Sequence, residues 1–114
     1  MAVLTLSPSE ARRLAVVAQQ LEAPRPNPTR ADLLDTIRRI TCVQIDPINV
    51  VARTQLLVLF SRLGRYDPTD LEALLWEDRA LFEYWAHAAS IVLADDYAIF
   101  RPQMREREVA AGVW

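Results

Sequence analysis

Between two stretches of helical periodicity lies Val43-Gln44-Ile45-Asp46-Pro47, and this short segment restricts the fold more than any other. Val43 and Ile45 fall on one side of an extended chain and Gln44 and Asp46 on the other, the alternation of a strand with one face on a core. Pro47 cannot donate to a sheet ladder, so the strand should stop there. An amide and a carboxylate on the open side of a core-anchored strand can mount a water-activating site. The same pattern is also the wet face of any half-buried edge strand.

The flanking segments announce helices. Ser7-Pro8-Ser9-Glu10 combines a cap, a proline at the first helical position and an acid closing a capping box. With Ala11, Leu14, Val17, Ala18 and Leu21 at helical spacing, a helix over 8–22 is expected. The proline-rich stretch 23–28 then reads as a stiff connection, making that helix an arm packed on the domain. A second helix starts at Thr29, with Asp32 three residues on and a stripe of Leu33, Leu34, Ile37 and Ile40. Beyond the strand, Val51, Leu56, Leu59, Phe60 and Leu63 predict a helix from about Val50 that ends at Gly64. Asp67-Pro68 opens the next, carrying Leu71, Leu74, Leu75 and Trp76. Residues 80–86 and 89–93 read as two strands of a hairpin with His87 and Ala88 between them. Ala94-Asp95-Asp96 then caps a last helix bearing Tyr97, Ile99, Phe100 and Met104, and Trp76, Tyr84 and Trp85 are expected in the core.

Composition excludes several chemistries. One cysteine, Cys42, precludes an internal disulfide and suits a reducing cytoplasm, the expected location. One histidine and one cysteine cannot assemble a structural zinc site, and no metal or other cofactor is expected. All thirteen basic residues are arginine, so lysine Schiff-base chemistry is ruled out within these residues. No apolar run approaches the ~18 residues of a membrane span. The formal net charge of −2 argues against strong nonspecific nucleic-acid binding, so any DNA contact must be local.

Helix, short strand, helix, tight turn, helix, hairpin is the order of a winged helix-turn-helix. The expected fold class is therefore mainly α with a small β component, a winged domain over 29–93 with flanking helices. The arm and linker would occupy 1–28, and a C-terminal helix 94–114. In that layout Asp67–Trp76 would be the recognition helix. Its surface offers Asp70, Glu77 and Asp78 with only Arg79 nearby, the wrong chemistry for reading a major groove.

Three segments taken together go further: residues 43–53 (VQIDPINVVAR), 59–67 (LFSRLGRYD) and 81–90 (LFEYWAHAAS). In this order they closely resemble the AlkZ/YcaQ-like winged-helix DNA glycosylases. Proteins of that family excise N7-alkylated purines and unhook DNA interstrand crosslinks. The resemblance implies damaged double-stranded DNA as the partner and no membrane association. It also implies a longer parent chain with further winged-helix units, of which these residues would be the N-terminal third, weakly active or inactive alone. Gln44-Ile45-Asp46 matches the family's Gln-aliphatic-Asp motif, which would make Asp46 the base or electrostatic stabiliser and Gln44 the group orienting water or the nucleotide. Asn49 reads first as a turn former. Arg53, Arg62 and Arg65 are solvated or ion-paired side chains and also candidates for holding phosphate. His87, at the wing tip, is a candidate backbone contact. The alternative is a non-catalytic winged-helix module for transcription or assembly.

Overall fold

The computed structural model describes residues 3–112, so Val113 and Trp114 of the C-terminal tail lie outside the described residues. The elements run α1 (Pro8–Ala18), α2 (Arg30–Ile40), β1 (Cys42–Gln44), α3 (Thr54–Leu63), α4 (Pro68–Trp76), β2 (Leu81–Trp85), β3 (Ala89–Leu93), a 3₁₀ turn at Ala94–Asp96 and α5 (Tyr97–Ala111). The protein is mainly helical with one small antiparallel sheet, of strand order β1-β3-β2. Among the described residues no helix is long and apolar enough to cross a membrane.

Local chemistry sets most of the boundaries. Ser7 and Glu10 form a reciprocal capping box on α1, as do Thr29 and Asp32 on α2. Asp67 caps α4 through the Thr69 amide, with Pro68 at the first position. Hydrogen bonds from the Ser7 hydroxyl and amide to Glu10, from the Thr29 amide and hydroxyl to Asp32, and from the Thr69 hydroxyl and amide to Asp67 hold these carboxyls below their ordinary values. Gly64 ends α3 at φ +76, where a Cβ would come within 2.8 Å of Pro24 in the linker.

The core lies between α2, α3, α4 and one face of the sheet. Leu33, Ile37 and Leu59 are fully buried, and Val43, Leu63, Leu71, Leu74, Leu81 and Ile91 nearly so. Each such side chain contributes roughly 1.5–3 kcal/mol on leaving water. Register pairs Val43 with Ile91 and Ile91 with Glu83, while Gln44 and Tyr84 both pair with Ser90. Directly paired residues share a face. The row Gln44–Ser90–Tyr84 therefore lies on the face away from the helical core. There Phe82 and Tyr84 meet Tyr97 and Phe100 of α5, at ring separations of 5.5–6.3 Å.

Several expectations need correction. α1 ends at Ala18 rather than near residue 22, because Gln20 takes φ +56 and the Gln20 and Leu21 amides turn back to Val17 and Val16. None of its residues is buried, and it meets the domain at its C-terminal end, where Val17 lines a cleft with Thr36, Arg62 and Leu63 and Gln19 accepts from Arg62. The paired part of β1 ends at Gln44, two residues short of Asp46, although the Ile45 amide still donates to Ala89. α3 begins at Thr54, not Val50. The intervening chain turns back on itself in a bridge between Asn49 and Arg53, which leaves Val51 87% exposed. Trp76 and Trp85 are 65% and 57% exposed rather than core, since they sit at the end of α4 and on the edge strand β2.

Candidate functional site

The open end of β1 gathers most of the residues singled out in the sequence. Gln44 is the last paired residue of the strand and is exposed. The β2–β3 connection, closed by the Ala86 amide donating to the Ala88 carbonyl, carries His87 over this end of the sheet. His87 Nε2 donates to Gln44 Oε1 at 3.0 Å. The carboxamide is thus held from one side by a group 43 residues away, while its NH2 keeps its donors free to face outward. Beneath the pair, Ser90 is fully buried and donates to Ala88 O, which fixes the hairpin end.

Asp46 is half-buried, just beyond the strand. Its Oδ1 accepts the Ile48 amide at 2.8 Å, an Asx turn across Pro47. This is the ordinary turn-capping role of an aspartate, and it also fixes the side chain. One oxygen is occupied, and no hydrogen bond to Oδ2 is formed among the described residues. Neither Gln44 nor Asp46 is sealed under the helices, so both remain open to a molecule approaching from outside.

The turn leads into the loop 47–53. Asn49 and Arg53 pair across its base, and Arg53 sits at the N-cap of α3 without a side-chain cap bond. Arg53 makes no ion pair among the described residues, which leaves its guanidinium available to an anion. His87 thus contacts Gln44, and Asp46 follows two residues on. The Asn49–Arg53 bridge closes the loop beyond them, and Arg53 lines a cleft with Glu72, Trp76, Glu83 and Ile91 on the core side of the sheet.

Arg62 and Arg65 belong elsewhere. Arg62 is nine residues beyond Arg53, about 13 Å along the helix axis. It donates to Val58 O, Ser61 Oγ and Gln19 Oε1, which ties the C-terminal end of α1 to α3. Arg65 follows Gly64 and lines an apolar groove with Leu57, Phe60 and Tyr66. Tyr66 anchors that end by donating to Leu56 O, and burial pushes its phenol up to about 12.

The acidic surface of α4 is altered by a residue that spacing along the sequence does not reveal. Arg30 of α2 reaches Asp70 at 3.1 Å, Asp78 at 3.3 Å and Glu77 at 3.9 Å. The bonds to Asp70 and Asp78 raise its own pKa further. A second feature missed in the sequence is the pair Val50 and Val51, placed by periodicity inside a helix and found at a loop tip. The only local signal was Asn49, a turn former, directly ahead of them.

No solved structure matches the chain. A family of known proteins does: the one described as DNA glycosylase AlkZ-like matches residues 37–114, well over half of the sequence. That span contains β1, the loop, the hairpin and Gln44, Asp46, Asn49, Arg53 and His87, and the chain belongs to the AlkZ-like DNA glycosylase family.

Proposed function

We propose that these residues form the catalytic face of a monofunctional DNA glycosylase that hydrolyses the N-glycosidic bond of N7-alkylated purines and, by the same cleavage, unhooks interstrand crosslinks. The observation that carries this reading is the open strand end. There a carboxylate and a carboxamide stand unsealed, the first fixed by an Asx turn and the second by His87.

An N7-alkylated purine is already cationic, so it departs with the C1′–N9 bonding electrons and needs no proton from a general acid. What the reaction requires is a negative group beside the developing oxocarbenium ion and a positioned water. Asp46 supplies the charge. The water oxygen bonds to C1′ and its proton passes to Asp46 or to solvent. Gln44, held by His87, uses its free N–H groups to orient the water or the sugar. Arg53 and Asn49 take the neighbouring phosphate, with Arg62 and Arg65 further along the backbone.

In the same reading 29–93 act as a winged-helix unit, with residues 1–28 an arm and 94–114 a connecting helix, in a cytoplasmic protein. The test is release of 7-methylguanine from methylated duplex DNA by the full-length protein. Asp46→Asn is expected to abolish release, by at least about a hundredfold, with an unchanged circular dichroism spectrum. Release at the wild-type rate would remove Asp46 from the mechanism and favour a DNA-binding module without catalysis.

A further inference from the structure

The loop between β1 and α3 is tipped by apolar side chains with nothing over them. Ile48 is 64% exposed, Val50 88% and Val51 87%. We propose that this tip is a wedge that enters the base stack of duplex DNA and fills the space left by a nucleotide displaced toward Gln44 and Asp46. The inference rests on the reading of those two residues as the place where a nucleotide is processed.

Three observations favour DNA over a protein surface as the body that covers the tip. The first is reach. Val50 is four residues from Asp46, so their separation cannot exceed about 14 Å even in a fully extended chain, and the Asx turn and the Asn49–Arg53 bridge shorten it. A protein seated on the tip would stand where the nucleotide must arrive, whereas a duplex touches both places at once. The second is charge. Residues 47–53 carry a single charged group, Arg53 at the loop base, and it makes no ion pair among the described residues. Arg53 shares a cleft with Glu72 and Glu83 but pairs with neither, and an apolar tip with an unpaired cation at its base matches bases flanked by phosphates. The third is stiffness. Valine has few χ1 states to lose, and the loop is tied at both ends, so insertion orders little that is not already ordered.

Insertion between bases costs unstacking, and least where a nucleotide has already left the stack. The wedge would therefore hold the displaced state open rather than read sequence. Apolar contact carries no hydrogen-bond code, so neither valine should confer base preference.

The experiment uses a duplex with a tetrahydrofuran abasic-site analogue, which cannot be excised, and 2-aminopurine as the adjacent base. Binding is followed by anisotropy and unstacking by 2-aminopurine emission. Wild type is expected to bind and raise the emission. Val50→Ala with Val51→Ala should bind about fivefold more weakly and lose most of the rise, while Val50→Leu with Val51→Leu keeps it. Asp46→Asn should keep the rise and lose 7-methylguanine release. An undiminished rise in the double alanine variant, or no rise or no binding in wild type, overturns the wedge. A double alanine variant that loses thermal stability or self-association while keeping the emission signal points to a protein contact and overturns it too. A wild-type rise without any base release by the full-length protein leaves the wedge standing and removes the glycosylase reading of the site. Both valines lie in solvent, so these variants do not threaten the fold.

Discussion

His87 is the single histidine of the chain, and its one hydrogen bond among the described residues goes to Gln44 Oε1. The bond decides which way the carboxamide points, because an acceptor on the inner side leaves the NH2 outward. His87→Ala frees the group to rotate and should slow single-turnover release of 7-methylguanine on the order of tenfold, since misplaced groups lose rate steeply. His87→Asn, which can return a donor to Gln44, should recover part of that loss. A purely structural His87 would instead lower the melting temperature in both variants without separating their rates. Asp46 shows why one residue can be read two ways. Capping the turn fixes one carboxylate oxygen, and that fixed group is what a developing positive charge at C1′ requires.

Among the elements, α4 offers the cleanest test of local electrostatics. The Asp67 carboxyl is held below its ordinary value by the Thr69 hydroxyl and amide, which it accepts. A depressed folded-state pKa contributes stability that is complete above the unfolded-state value near 3.8 and is lost as pH falls through the folded-state value. Asp67→Asn keeps a capping oxygen but cannot titrate. Its melting temperature should therefore fall less steeply than that of wild type between pH 5 and pH 2, as followed by circular dichroism; parallel curves would contradict the assignment. Such caps were legible in the sequence because cap, proline and acid lie within one turn of one another. Val51 was misread because its neighbours Leu56, Leu59 and Leu63 do continue the helical period, whereas the Asn49–Arg53 pairing that throws it outward leaves no periodic trace. Size and apolarity alone point Trp76 and Trp85 to the core, but an edge strand and a helix end have no layer to cover them. The Gln44–Asp46 motif could be read directly, while the His87 contact depends on strand register across 43 residues.

The whole molecule is more extended than its length requires. Its radius of gyration is 17.1 Å, with extents of 53 × 44 × 28 Å, against about 13 Å for a compact domain of this size. α1 accounts for part of the excess, since it buries no residue and leaves Leu4, Leu6 and Leu14 open beside Val17. α5 accounts for more, with Ile99 and Val109 each 72% exposed beyond the turn that stacks on the sheet. Removing residues 1–18 should therefore leave the thermal midpoint within a few degrees of wild type, because no buried side chain is removed. A fall of more than about 10 °C would mean that the arm holds the core together. Truncation should also reduce any concentration-dependent association seen by sedimentation, since an exposed apolar stripe is the kind of surface that finds a partner.

Arg30 has a consequence for how a polyanion meets this surface. Three acids on one side of α4 would repel a phosphate backbone, but a guanidinium from another helix lies against all of them. Replacing that one arginine would leave three uncompensated carboxylates on this flank without touching the strand end, and duplex affinity would fall most at low ionic strength, where fields reach furthest.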